Sequence, residues 1–172
     1  MQAVVLIATK NRPEQLNVAL QSVFHQTRLP KRVIVISDSD ADFVKATKNV
    51  VNNFQNSGIS CQYLENERTK NLSGAINTGL QELITSGILP EEHYCALLDD
   101  DDTWDPTYLA ECLRYGEKNN ADWVISGLIR HQSPGDSGVK LSIPHQLSPS
   151  EFFTGNPHIQ GSNLFVKLST LL

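Results

Sequence analysis

Apolar residues fall along the chain in two alternating patterns. Residues 3–9 form a continuous apolar, β-rich run, the mark of a strand covered on both faces. Residues 33–36 and 94–98 read the same way, and 59–64 more weakly. Between these runs the spacing turns helical. Leu16, Ala19, Leu20, Val23 and Phe24 share one face behind Pro13. Phe43, Val50, Val51 and Phe54 mark a second helix. Ser73 suits the cap of a third, with Ile76, Leu80, Leu83 and Ile84 facing inward. A fourth is expected from Pro106 to about Asn119, with Asp105 as its N-cap. Residues 123–129 read as one further strand. The order β-α-β-α-β-α-β-α-β predicts an α/β fold with a doubly wound, mostly parallel sheet. From Gln132 the pattern weakens into a turn-rich loop at 134–138, a short strand at 139–143 and a helical turn at 151–154. A strand at 163–166 follows, and a helix begins near the last residues.

One strand ends unusually. The run 94–98 drives into Asp99, Asp100, Asp101 and Asp102. These carboxylates therefore sit at the carboxyl end of a sheet strand, where open α/β sheets bind ligands. Two carboxylates about 4 Å apart repel by roughly 4 kcal/mol at an effective dielectric near 20. Such a cluster is tolerable when solvated, protonated or neutralised, and hard oxygen ligands suit Mg²⁺ or Mn²⁺. Two other strand ends are polar. The first supplies Thr9, Asn11 and Arg12, and the second Asp38 and Asp40. Asn11 also suits a helix cap, and Asp38 and Asp40 also suit a turn.

Composition narrows the function classes. The 172 residues fit one domain with a sizeable core. A net charge of -5 argues against nucleic acid as the main partner. No run of about 18 apolar residues predicts a transmembrane segment, and the N-terminus lacks a signal-peptide pattern. Cys61, Cys95 and Cys112 lack metal-ligand spacing and read as buried thiols of a reducing compartment. No glycine-rich phosphate loop follows the first strand, so a Rossmann dinucleotide site is not expected.

Taken in order, these motifs resemble the family 2 glycosyltransferases of GT-A fold. Thr9-Lys10-Asn11-Arg12 matches a Thr-x-Asn-Arg turn. Ser37-Asp38-Ser39-Asp40 partly matches an Asp-Asp-Gly-Ser block. Ala75-Ile76-Asn77-Thr78-Gly79 matches Ala-Arg-Asn-x-Gly except at the Arg. Leu98-Asp99-Asp100-Asp101-Asp102 with Trp104 and Pro106 matches Leu-Asp-x-Asp-Asp followed by Trp and Pro. The resemblance implies a nucleotide-binding set of Thr9, Asn11, Arg12, Asp38, Asn77 and Asp99. Thr9 and Asp38 would contact the nucleobase, and Asp99 the ribose or sugar. Asp101 would bind the divalent cation, Mn²⁺ or Mg²⁺, that bridges the donor diphosphate, with Asp102 as a second candidate. Ile76 replaces a diphosphate-binding Arg, for which Arg68 or Lys70 could substitute.

The expectation is thus a single GT-A domain over residues 1–172, with a donor-binding part at 1–131 and the start of an acceptor-side part at 132–172. It would move a sugar from a nucleotide-diphospho-sugar to an acceptor hydroxyl on a saccharide, lipid-linked or protein acceptor, with inversion. The resemblance implies a C-terminally truncated chain whose catalytic base lies beyond residue 172. Within the chain, His145, His158, Asp136 and Glu151 are the acceptor-side candidates. The alternatives are a nucleotide-sugar-binding module without turnover and a metal-dependent nucleotidyltransferase. The expected location is cytoplasmic, extending to peripheral attachment at the inner membrane face.

Overall fold

The computed structural model describes residues 1–55, 58–133, 135–141, 143 and 147–172. His145 and Pro134 lie outside the described residues. Six strands form one sheet in the order β3-β2-β1-β4-β8-β5. They are β1 (Gln2–Thr9), β2 (Arg32–Ser37), β3 (Ser60–Glu65), β4 (His93–Asp99), β5 (Trp123–Ile125) and β8 (Leu164–Lys167). The pairs β1–β2, β1–β4 and β2–β3 are parallel, whereas β8 runs antiparallel to both β4 and β5. A separate antiparallel ribbon joins β6 (Leu128–Arg130) and β7 (Val139–Leu141).

The uniformly apolar strands reflect helices on both faces. Alternate residues of β1 point to opposite sides. Val5 and Ile7 pack with Leu16 and Leu20 of α1 (Pro13–Phe24), Val51 of α2 (Ala41–Asn52) and Leu113 of α4 (Tyr108–Asn119). Val4 and Leu6 pack with Ala75 and Leu83 of α3 (Leu72–Thr85) and Leu168 of α6 (Leu168–Leu171). α3 lies close against the sheet at Gly79, where a Cβ would fall 2.9 Å from Ile36 Cδ1 and 3.0 Å from Leu6 Cδ2. The three cysteines are buried and free. Burial pushes the Cys61 and Cys95 thiols up to about 12 and Cys112 to about 11, so none is a ready nucleophile.

Three of the boundaries that differ from the sequence reading have a visible cause. Asn71, not Ser73, caps α3, its side chain accepting from the Gly74 N–H at 2.8 Å. α4 begins at Tyr108, because Asp105 first closes a turn with the Thr107 N–H at 3.0 Å and its hydroxyl at 2.8 Å. Residues 123–129 are two strands. Ser126 exchanges hydrogen bonds with Asn163, giving N–H to its carbonyl at 3.1 Å and accepting from Nδ2 at 3.0 Å. The chain leaves the main sheet there, and β6 pairs with β7 instead. A short helix α5 (Pro149–Thr154) begins with a capping box between Ser148 and Glu151. Among the described residues no helix is long and apolar enough to cross a membrane.

Candidate functional site

The sheet order reverses at β1. β2 and β3 follow on one side and β4 lies on the other. Such a switch point leaves a crevice at the carboxyl ends of the strands. Thr9, Asp38 and Asp99–Asp102 all belong to that edge, at or just beyond the ends of β1, β2 and β4.

Hydrogen bonds organise the β1–β2 side. The Asp38 N–H donates to the Thr9 carbonyl at 2.9 Å, extending the parallel ladder by one step. Asn11 has a left-handed backbone, φ 57°, a conformation Asn tolerates better than most residues. Its N–H donates to Ser39 Oγ at 3.1 Å, its Nδ2 to Asp40 Oδ2 at 2.6 Å, and its Oδ1 accepts from the Asp40 N–H at 2.8 Å. Asn11 therefore ties two strand-end turns together. The N-cap position of α1 falls to Arg12, which makes no side-chain cap. The Asp38 carboxylate is buried and, among the described residues, accepts one hydrogen bond, from Asn66 Nδ2 to Oδ1 at 2.7 Å.

Charge organises the β4 side. Asp100 is 1 % exposed and turns back toward β1. It accepts from Thr9 Oγ1 at 2.7 Å and Arg12 Nε at 3.2 Å, and Arg12 Nη2 lies 2.5 Å from its other oxygen. The same guanidinium reaches the exposed Asp101 at 2.8 Å. Burial raises the Asp100 carboxyl against the pull of Thr9 and Arg12. Asp99 is also raised, first by burial and then by Asp102 and Asp101, against a hydrogen bond with Ser162. Ser162 Oγ in turn accepts the Asp99 N–H at 3.0 Å. The four carboxylates thus do not act as one cluster. Asp100 is an internal counter-ion to Arg12, Asp101 shares that guanidinium at the surface, and Asp99 and Asp102 make no ion pair among the described residues.

Beyond Asp101 and Asp102 a cleft of about 660 Å³ opens toward β6 and Arg130. Trp104 and Tyr108 stack at 4.5 Å along it, and Trp104 Nε1 donates to the Ser162 carbonyl at 2.7 Å. Some expected residues are drawn elsewhere. Asn77 is exposed on α3 and its side chain makes no hydrogen bond among the described residues. Arg68 and Lys70 are exposed. Asp136 is consumed by its own loop. It accepts from the backbone N–H groups of Gln132, Ser133 and Gly138 and contacts the His131 ring at 2.7 Å, which pulls its carboxyl down to about 2. Glu151 closes the α5 capping box, accepting the Ser148 N–H at 2.7 Å. The sequence reading missed Asn66 and the pairing of Asp100 with Arg12. A polar residue directly after the β3 run was the available signal for Asn66.

No group of three His, Cys, Asp or Glu side chains converges as a metal-binding set among the described residues. The donor chemistry nevertheless fits a hard cation. Asp99, Asp101 and Asp102 bring oxygen ligands and mutual repulsion, and Mg²⁺-like ions take one or two carboxylates plus substrate phosphates.

The profile of glycosyl transferase family 2 matches residues 4–169. No curated protein matches the sequence. S. aureus TarS 1-349 superposes with a TM-score of 0.69 over 99 % of this chain and 48 % of its own, at 16 % identity, and has been solved with UDP and with UDP-GlcNAc. The mannosyltransferase PcManGT from Pyrobaculum calidifontis, in complex with GDP-Man and Mn²⁺, gives 0.67 over 99 % and 46 %, at 16 % identity. A 4-diphosphocytidyl-2C-methyl-D-erythritol synthase gives 0.60 over 99 % and 76 %, at 14 % identity. At these identities the likeness is one of fold, and the fold is GT-A. The chain spans about half the length of the TarS and PcManGT chains it matches.

Proposed function

The chain belongs to glycosyl transferase family 2, and from that membership we propose that it binds a nucleotide-diphospho-sugar and moves the sugar to an acceptor hydroxyl. The observation that carries this reading is the pairing of two unlike carboxylate sites on one sheet edge. Asp38 keeps 7 % of its surface exposed and its Oδ2 makes no hydrogen bond among the described residues, so that oxygen is available to a nucleobase ring N–H. Thr9 flanks it on β1. Asp99, at the end of β4, reaches the ribose or sugar. Asp101 and Asp102 would hold Mn²⁺ or Mg²⁺ against the donor diphosphate, and that cation supplies Lewis-acid charge for the leaving nucleoside diphosphate. Arg12 balances the buried Asp100 and also pairs with the exposed Asp101. Asn11 holds the β1 and β2 turns at a fixed separation, a positioning role for the nucleotide. The ligands held by PcManGT and TarS, GDP-Man with Mn²⁺ and UDP-GlcNAc, support a donor of this class.

The acceptor enters the cleft past Asp101 and Asp102, and inversion requires a base on that side. Residues 1–131 then form the donor part, and 132–172 begin the acceptor part. A donor-binding unit without turnover is the second reading. It is favoured by the engagement of Asp136 and Glu151 in local hydrogen bonds, which leaves neither ready to deprotonate an acceptor. The nucleotidyltransferase reading is weaker. The β1–α1 turn has no glycine, and Arg12 is spent on Asp100 and Asp101 rather than free for a triphosphate.

Calorimetric titration with UDP and GDP tests the proposal. Binding is expected with Mn²⁺ and at least about tenfold weaker binding with EDTA, a difference of roughly 1.4 kcal/mol. Equal affinity in both would remove the metal from the reading.

A further inference from the structure

We propose that Asn66 is a specificity-determining positioning residue, which fixes the Asp38 carboxylate so that one defined oxygen meets the nucleobase. The inference rests on Asp38 as the base-reading group. Asn66 directly follows β3, and its N–H donates to the Ser37 carbonyl at 2.9 Å, continuing the β2–β3 ladder. Its side chain is fully used. Nδ2 donates to Asp38 Oδ1 at 2.7 Å and to the Thr69 carbonyl at 3.0 Å. Oδ1 accepts from the Arg68 N–H at 3.0 Å and from Thr78 Oγ1 at 2.9 Å. An amide has two N–H hydrogens and two good acceptor positions, and all four have partners.

The partners also decide which way the amide faces. Asp38 Oδ1 and the Thr69 carbonyl can only accept, and the Arg68 N–H can only donate. A flipped amide would set N–H against N–H and oxygen against carboxylate. The amide is held rigidly from behind. At Gly74, in the first turn of α3, a Cβ would fall 1.9 Å from the Thr69 carbonyl oxygen and 3.3 Å from Asn66 Nδ2, so the 66–69 loop lies directly on the helix. Thr78, one turn further on, shares its hydroxyl between Asn66 Oδ1 and the Gly74 carbonyl at 3.0 Å. The result is a buried carboxylate with one oxygen fastened and the other offered. Among the described residues Asp38 Oδ2 has no hydrogen-bond partner.

The test compares binding of UDP, GDP, CDP and ADP, each with Mn²⁺, and of inorganic pyrophosphate with Mn²⁺. Asn66→Asp keeps the shape but sets a carboxylate against Asp38. The ratio between the preferred and next-best base should fall about tenfold, with pyrophosphate affinity changed less than about twofold. Thr78→Val, which leaves the Asp38 contact in place, should lower the same ratio by about threefold and serves if Asn66→Asp does not fold. In an Asp38→Ala background neither change should alter the ratio further. An unchanged base ratio in a folded Asn66→Asp and in Thr78→Val overturns the inference. So does a parallel loss of pyrophosphate affinity. Asp38→Ala separates the two levels. If it leaves the ratio intact, base reading by Asp38 fails and takes the inference with it. If it collapses the ratio while both other variants keep it, only the role of Asn66 fails. A wild-type chain that binds none of the four diphosphates overturns both.

Discussion

At the end of β2 a single buried carboxylate, Asp38, is held by one neutral amide. At the end of β4 stand four carboxylates, of which Asp100 and Asp101 share one guanidinium, and Asp99 and Asp100 are raised by burial and by neighbouring carboxylates. The first site is built from hydrogen bonds of fixed direction, which suit the recognition of a flat ring edge. The second is built from crowded charge, which suits a cation and its phosphates. Thr9 lies between them. Its carbonyl accepts from Asp38 and its hydroxyl donates to Asp100, so the two sites share one residue of β1. The two sites should therefore respond differently to pH, salt and metal.

The largest expected effect comes from removing the shared guanidinium. Arg12→Ala leaves Asp100 buried without its counter-ion. Breaking a fully buried pair costs about 3–5 kcal/mol, and the 43 % exposure of Arg12 places this one lower, at about 2–3 kcal/mol. The Asp100 pKa is raised already and rises further in the variant. The loss should thus be greatest at neutral pH and shrink in acid as Asp100 takes up its proton. Urea unfolding at pH 5 and 7.5 measures this, and Asp100→Asn in the same chain should restore much of the loss. Base preference at Asp38 should change little if the two strand ends are independent.

Next in size is Asp101→Asn. Mn²⁺-dependent nucleotide binding should weaken by at least about tenfold, with stability changed by less than about 0.5 kcal/mol because Asp101 is exposed. Calorimetry with Mn²⁺ and UDP reads the first quantity and urea titration the second. Retained metal dependence would move the ion to Asp99 and Asp102.

The smallest effect is expected at Asp99. Its folded pKa lies above the unfolded one, so its protonated form is favoured on folding. That contribution is complete below the unfolded pKa and is lost as pH rises through the folded pKa. Asp99→Asn should therefore flatten the decline in stability from mildly acid to neutral pH rather than lower stability outright. Urea midpoints between pH 3.5 and 7.5 check this. A variant with the wild-type slope would assign the decline to Asp100 alone.

Most of the scaffold was legible because its strands are covered on both faces. Residues 3–9 and 33–36 could be read directly, and the observed β1 and β2 extend them by a single residue at one or both ends. The strand end carrying Asp99–Asp102 was legible for the same reason. What escaped depended on contacts distant in sequence. Asp100 was indistinguishable from its neighbours until β1 brought Arg12 and Thr9 beside it, 88 and 91 residues away. Asn66 carried no period and no charge. The break at Ser126 was set by Asn163, 37 residues on, and no local turn signal outweighed the apolar residues on either side. Asp105 was expected as the N-cap of α4, but Thr107 holds that position and Asp105 closes the turn before it.

The position of β8 has a consequence for how the protein is made. β8 lies between β4 and β5, and Ser162 just before it contacts the Asp99 N–H across 63 residues. On a ribosome adding about 5–20 residues per second, β4 emerges several seconds before the strand that covers its edge. During that interval β1 to β4 can assemble with one open flank, a template for pairing with another nascent chain. The acidic turn is meanwhile unsupported on its Ser162 side. Arg12 is already present, so Asp100 can be neutralised early, whereas Asp99 must wait for the closing strand. β8 thus joins β5 to the sheet and brings Ser162 to Asp99, so this side of the acidic turn is complete only once β8 is in place.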